Sequence, residues 1–145
     1  MPAKYIPSPR DWVREQVEVY EGSNGREGTT LRDTGLPCII VTHTGNKSGA
    51  IRKTPLMRVH DGRGYVLVAS QGGAPDNPVW VYNLRARADV EIRDGAEIIR
   101  MRTREVPAGE ERDRLWALSV EAFPPYADYQ GKTERLIPLF IAEPV

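Results

Sequence analysis

The chain is short of the residues that most often build metal sites and nucleophile pairs. In 145 residues it holds one cysteine, Cys38, and two histidines, His43 and His60. A zinc site or a cysteine–histidine pair needs several such side chains grouped with one another or with carboxylates, and the sequence offers no such group. Cys38 lies inside the apolar run Pro37-Cys38-Ile39-Ile40-Val41, where a cysteine is expected to pack as a small hydrophobe. Net charge is missing too. Twenty Lys and Arg balance 20 Asp and Glu, so no global field draws the protein onto nucleic acid, and any anion site must be local.

Long apolar runs are also absent, and none approaches the roughly 20 residues that cross a bilayer. The opening MPAKYIPSPRDW lacks the apolar middle of a signal peptide, so the cytoplasm is the expected location. No internal repeat or low-complexity tract is present. The length and a composition of 40% hydrophobic and 28% charged residues suit one domain over 1–145 with its own core.

Ser8-Pro9-Arg10-Asp11 reads as a helix start with serine as cap and proline at the first position. Trp12, Val13, Val17 and Tyr20 then recur at helical spacing and form an apolar stripe. The stripe is expected to pack on the rest of the domain, with peripheral membrane contact as the alternative. Beyond a flexible connection at 22–28, Leu36 to Thr42 and Ile51 to Val59 read as strands flanking a turn at Gly45 to Gly49. Asp61-Gly62 and Asp94-Gly95 signal two more hairpins, the first leading into Tyr65 to Ser70 and the second joining Val90–Ile92 to Ile98–Val106. Arg100, Arg102 and Arg104 fall on one strand face, expected to be solvated. Glu110-Glu111 opens a helix that Pro124-Pro125 stops, and Leu136 to Ala142 is a last strand whose Pro138 must sit at an edge or bulge. Short strands with tight turns predict a mainly β (α+β) antiparallel sheet or closed barrel.

Two stretches carry the chemistry. Thr42 to Met57, THTGNKSGAIRKTPLM, sets a glycine-bracketed turn, three cations and several hydroxyls between two strands. A nucleoside-triphosphate loop needs glycine immediately before the lysine and another five residues earlier, and those positions hold Asn46 and Val41. What remains is a concave set of N–H groups and hydroxyls with Lys47, Arg52 and Lys53, suited to phosphate and carboxylate groups. The second stretch, Ala69-Ser70-Gln71-Gly72-Gly73-Ala74, puts small residues at a strand end where a flat ring can approach the backbone. Asn77-Pro78 then opens a helix carrying Trp80, whose N-terminus suits an electron-rich ring or anion. Trp80 taken singly reads more readily as core. Tyr126 and Tyr129, three apart, share one side of a helix and offer phenol donors to a substrate oxygen.

These blocks resemble the deazaflavin (coenzyme F420)-dependent nitroreductase family of actinobacteria. The carrying motifs are Thr44-Gly45-Asn46-Lys47-Ser48-Gly49 with Arg52-Lys53-Thr54-Pro55-Leu56, and Ala69-Ser70-Gln71-Gly72-Gly73-Ala74 with Pro78-Val79-Trp80 and Asn83-Leu84. Phe123-Pro124-Pro125-Tyr126-Ala127-Asp128-Tyr129-Gln130 and Arg135-Leu136-Ile137-Pro138 complete the set. The resemblance implies an FMN-binding-like split β-barrel over 29–145, behind an N-terminal helix and linker over 1–28, with coenzyme F420 as hydride donor. By position, Lys47, Ser48, Arg52 and Lys53 would hold the phosphate and oligoglutamate tail, with Thr44, Asn46, Gly49 and Thr54 around them. Pro55, Met57, Ala69, Ser70, Gly72, Gly73, Ala74, Asn77, Pro78 and Trp80 would line the ring, and Tyr126 and Tyr129 would stand on the substrate side. Two departures are Asn46, where other members often carry a basic residue, and Phe123, where some carry tyrosine.

The expected activity is hydride transfer from reduced F420 to a quinone, a nitroaromatic or a similar planar electron-poor acceptor. Two other readings stay open at this point: a non-catalytic F420 carrier, and a split-barrel reductase that binds FMN. Monomer and homodimer are equally compatible with the pattern.

Overall fold

The three expected hairpins form the skeleton of the fold. In a computed structural model, which describes residues 4–145, seven strands follow in chain order: β1 Cys38–Thr44, β2 Ile51–Met57, β3 His60–Asp61, β4 Gly64–Val68, β5 Asp89–Asp94, β6 Glu97–Glu105 and β7 Leu139–Pro144. They make one antiparallel sheet of order β2-β1-β5-β6-β7-β4-β3. Although β2 and β3 stand at opposite ends of that order, only Arg58 and Val59 lie between them in the chain. One extended segment therefore serves both edges. The Arg58 N–H donates to the Pro37 carbonyl at 3.0 Å on one side, and the Val66 N–H donates to the Val59 carbonyl at 2.8 Å on the other. The sheet curls back on itself, which leaves few unpaired edge groups to recruit another strand.

Four helices pack on this sheet: α1 Asp11–Gly22, α2 Val79–Ala86, α3 Glu110–Ala122 and α4 Pro125–Gly131. Period-two alternation sorts the strand side chains into two cores. Ile39, Val41, Tyr65, Leu67, Ile92, Met101 and Phe140 pack with Trp80, Val81 and Leu84 of α2. Val66, Val68, Leu139 and Ile141 point the other way, against Leu115 of α3 and Tyr126 of α4. A slip of one residue in β4 or β7 would exchange the two sets, so the register is fixed by both cores.

Helix α1 lays Val17 and Tyr20 on Cys38 and Ile40. Tyr20 is 1% exposed; its hydroxyl donates to the Cys38 carbonyl at 3.1 Å and accepts the Gly95 N–H at 2.7 Å. Gly25, at φ +76°, comes so near the Gly95 carbonyl that a Cβ there would lie 2.1 Å from its carbon. The connection at 22–28 is thus pinned to the β5–β6 turn, and only glycine fits it.

Several boundaries differ from expectation for local reasons. Helix α1 starts at Asp11, not Pro9, because the Ser8 hydroxyl accepts the Arg10 N–H at 3.2 Å and spends its acceptor ahead of the helix. Strand β1 runs Cys38–Thr44, two residues later than expected at each end. Pro138 lies just ahead of β7, where its carbonyl accepts the Ala69 N–H at 3.0 Å, so no ladder donor is missed.

Candidate active site

The cationic turn is braced from inside. The Gly45 N–H donates to the Ala50 carbonyl at 2.8 Å, the Gly49 N–H to the Gly45 carbonyl at 2.9 Å, and the Ala50 N–H to the Ser48 hydroxyl at 3.1 Å. Ser48 keeps its own O–H free to donate. Lys47 is exposed and Arg52 half-buried, and among the described residues neither belongs to an ion pair. Lys53 differs. Its Nζ lies 2.7 Å and 2.8 Å from the two carboxylate oxygens of Glu21 on α1, and 4.9 Å from the centre of the Tyr5 ring. Neighbouring strand residues face opposite sides, so Lys53, Pro55 and Met57 look toward α1 and α3 while Arg52 and Thr54 look toward α2. The sequence grouped Arg52 with Lys53; the strand separates them.

A relay that the sequence reading did not single out holds the turn to α2. The Asn46 N–H donates to Oδ1 of Asn83 at 2.9 Å. That donor can only donate, so the Asn83 amide is oriented with Nδ2 toward Nδ1 of His43, 3.2 Å away. Nδ1 must then accept, and the ring proton sits on Nε2, which donates to Oγ1 of Thr54 at 2.9 Å. Burial, with the Arg52 guanidinium second, pushes the His43 pKa down to about 4, so the imidazole is neutral and the relay intact at neutral pH. Thr54, expected at the cofactor, accepts from this relay and keeps its own O–H to donate.

The loop from Ala69 to Asn77 is organised by one side chain. The Arg135 guanidinium donates to the carbonyls of Ala69 at 3.0 Å, Ser70 at 2.7 Å and Ala74 at 2.8 Å, and to Oδ1 of Asn77 at 2.9 Å. Asn77 is therefore held by Arg135 rather than free to face a ligand through that oxygen. Gln71, Gly72 and Gly73 all take positive φ, +44°, +64° and +81°. A Cβ on Gly73 would stand 2.7 Å from the Tyr129 carbonyl oxygen, so glycine lets this loop pack onto α4. Ala69, Ser70, Gly73 and Pro78 are buried, whereas Gly72 is exposed and Ala74 half-buried. Trp80 packs on the sheet. Its ring lies inside the α2 core, 5.7 Å from Phe140, in a different cluster from Met57 and Tyr126.

Met57, the last residue of β2, and Tyr126 of α4 belong to one buried cluster. Tyr126 is 6% exposed and surrounded by Phe123, Trp116 and Tyr129 at ring separations of 5.0, 6.4 and 6.3 Å. Its hydroxyl has no hydrogen-bond partner among the described residues, yet no side-chain oxygen there is both unpaired and fully buried, so the phenol reaches accessible surface. Burial, and Tyr129 next, raise its pKa, which keeps the proton on oxygen. Met57 also lines a cleft of about 390 Å³ together with Val59, Leu118, Arg58, His60 and Glu121. Arg58 and His60 are fixed from behind by Asp94, which accepts from Arg58 at 3.1 Å and from the Tyr65 hydroxyl at 2.7 Å and lies 3.8 Å from His60.

Cys38 packs as expected: it is 1% exposed, and burial pushes its thiol up to about 11, so it stays protonated and inert. No group of three or more potential metal ligands occurs among the described residues. Arg100, Arg102 and Arg104 are exposed, and Arg102 and Arg104 pair with Asp89 and Glu111.

Comparison with known proteins gives the family. The model of the F420H2-dependent quinone reductase family matches residues 12–144. An F420H2-dependent quinone reductase of Mycobacterium tuberculosis is 38% identical over 132 residues, covering 89% of this chain and 87% of its own. The solved F420-H2 dependent reductase FDR-A is 49% identical at a TM-score of 0.70, over 74% of this chain and 94% of that one. A domain-swapped dimer is 47% identical at a TM-score of 0.72, over 94% and 100%. At the level of fold alone, a pyridoxamine 5'-phosphate oxidase-like protein of Listeria innocua, 11% identical with a TM-score of 0.54 over 74% and 82%, places the curled sheet among the split barrels. The chain belongs to the F420H2-dependent quinone reductase family.

Proposed function

We propose that this protein transfers a hydride from reduced coenzyme F420 to a quinone, and that other planar electron-poor rings, nitroaromatics among them, serve as acceptors in the same site. One observation carries the reading. At the head of β2, Arg52 and the neighbouring Lys47 offer cations with no carboxylate partner among the described residues, and the small-residue loop from Ala69 to Ala74 packs on α4, the helix that carries Tyr126. A cofactor with an anionic tail and an uncharged flat ring suits a cationic turn together with a small-residue loop, and the residues present fit F420.

When bound, the reduced cofactor supplies the hydride; the protein supplies binding, orientation and electrostatics. Lys47, Arg52 and the Ser48 hydroxyl hold phosphate and carboxylate oxygens through charge-assisted hydrogen bonds. The Thr54–His43–Asn83–Asn46 relay fixes the turn that carries them, so little ordering is left to do on binding. Small residues from Ala69 to Ala74 let a flat ring lie close to the backbone. Tyr126 keeps its proton through neutral pH and donates a hydrogen bond to the acceptor oxygen as negative charge builds there; a single such donor contributes about 10²-fold in turnover. The aromatic cluster of Phe123, Trp116 and Tyr129 excludes water from one side of that oxygen.

The reading is tested by fluorescence titration of the purified protein with F420 and, separately, with FMN. Tight F420 binding that weakens when Lys47 and Arg52 are replaced by Ala supports it. Preference for FMN, or binding indifferent to those cations, overturns it.

A further inference from the structure

Arg135 spends its donors on one wall of the site. Nη1 and Nη2 take the carbonyls of Ala69 and Ser70 at 3.0 and 2.7 Å, Nε takes the Ala74 carbonyl at 2.8 Å, and Nη1 also reaches Asn77 Oδ1 at 2.9 Å. No peptide bond here is cis, so in each peptide unit the N–H points opposite to its C=O. The carbonyls of Ala69 and Ser70 face the guanidinium; the N–H groups of Ser70 and Gln71, which belong to those same two peptide units, therefore point away from it. Among the described residues neither N–H, nor that of Gly72, meets a protein acceptor.

The backbone angles bring those N–H groups together. Ser70 is right-handed helical, at φ −72° and ψ −40°, and Gln71 takes φ +44°. A right-handed residue followed by a left-handed one turns three successive N–H groups, here Ser70, Gln71 and Gly72, into one concavity that binds a negatively polarised oxygen. A cation on the carbonyl side of a peptide polarises it and strengthens its N–H as a donor. Positive φ at Gln71, a non-glycine residue, is strained backbone, and the Arg135 hydrogen bonds on both sides of it hold the loop in that form.

We propose that Arg135 is a positioning residue that shapes and polarises an oxygen-binding nest built from the N–H groups of Ser70, Gln71 and Gly72. This rests on the functional reading above. The ligand atom is an oxygen on a planar ring that gains negative charge during hydride transfer, either a ring carbonyl of the cofactor or the oxygen of the acceptor. Arg135 touches neither; it acts through the Ala69–Ser70 and Ser70–Gln71 peptides.

The test uses the intact protein with Arg135→Ala and Arg135→Lys, followed by three readouts: the amide proton shifts of Ser70 and Gln71 in the free protein, F420 affinity by fluorescence, and menadione turnover. Arg135→Ala is expected to shift both amides upfield, and guanidinium ion at concentrations below those that denature is expected to move them back. F420 affinity that falls about tenfold and is rescued by guanidinium assigns the nest to the cofactor. Unchanged F420 affinity with turnover down about tenfold and likewise rescued assigns it to the acceptor. Arg135→Lys, which cannot span three carbonyls, is expected to recover less than added guanidinium does. Unmoved amides with unchanged affinity and turnover overturn the proposal.

Should Arg135→Ala fail to fold, Ser70→Pro takes its place. Proline accepts φ near −72° and removes one nest N–H while the Ala69 carbonyl stays available to Arg135. Ser70→Ala controls for the lost hydroxyl. Ser70→Pro weaker than Ser70→Ala in affinity or turnover supports the nest, and equal behaviour overturns it. A wild-type protein that binds no F420 overturns the functional reading itself, an outcome separable from variants that bind as wild type does.

Discussion

Asn83 donates to His43 across 3.2 Å between helix α2 and strand β1, and this contact ties the protonation of a buried imidazole to the position of the cationic turn. Protonating Nδ1 would set two donors against each other and release Asn83 from its role at the Asn46 N–H.

The sign of the resulting pH dependence follows. His43 is depressed to about 4 in the folded protein from an ordinary 6.5, so the unfolded chain binds the extra proton between those values. The stabilisation is full above about pH 6.5 and is lost progressively as pH falls toward 4, amounting to about 3 kcal/mol at 1.36 kcal/mol per pH unit. Denaturant midpoints measured from pH 7.5 down to 4.5 are expected to fall more steeply for the wild type than for His43→Gln, which does not titrate. Parallel curves for the two proteins would remove His43 from this role.

Arg52 and Lys53 are expected to behave oppositely. Arg52→Ala should weaken F420 binding about tenfold, the loss of one charged hydrogen bond, with little change in thermal midpoint. Lys53→Ala breaks the Glu21 pair, whose side chains are 20% and 28% exposed, and should cost about 1 kcal/mol of stability with a smaller effect on binding. Isothermal titration alongside thermal melts separates them; the reverse pattern would mean that the two faces of β2 have been assigned wrongly.

Tyr126→Phe keeps the ring and its packing while deleting the donor. Turnover with menadione is expected to drop about 10- to 100-fold while F420 affinity stays within twofold, a readout of single-turnover kinetics and titration together. Unchanged turnover would leave Tyr126 as packing alone.

Gly73→Ala attacks the loop's contact with α4. The new Cβ would meet the Tyr129 carbonyl oxygen at 2.7 Å, at a φ of +81°, and strain of this kind costs about 1–3 kcal/mol. A lower melting temperature together with weakened F420 binding is expected, because the loop from Ala69 to Ala74 moves with it. A fully stable variant would show that the loop yields freely.

Much of the fold was legible because its signals are local. Asp61-Gly62, Asp94-Gly95 and the Gly45-to-Gly49 turn each specify a hairpin from adjacent residues, and α3 begins at Glu110 and ends before Pro124-Pro125 as the charge and proline pattern dictate. The solvated reading of Arg100, Arg102 and Arg104 needed only their spacing. The site was legible in outline, as a cationic turn and a small-residue loop. Its wiring was not. Arg135 reaches acceptors 58 to 66 positions away, Asn83 reaches His43 across 40, and Lys53 reaches Glu21 across 32. No periodicity encodes such pairs. Even so, Arg52 and Lys53 are adjacent on a strand, and alternation alone already put them on opposite faces. Trp80 turned inward because α2 packs one face on the sheet, and a large ring beside Phe140 completes that core.

The central claim is tested most directly by following reduced F420 under anaerobic conditions with menadione and a catalytic amount of the protein. Cofactor oxidation that accelerates in proportion to protein, and that slows in Tyr126→Phe, is the predicted result. Reduced F420 that binds tightly yet is oxidised no faster than in protein-free solution would make the protein a carrier and contradict the account.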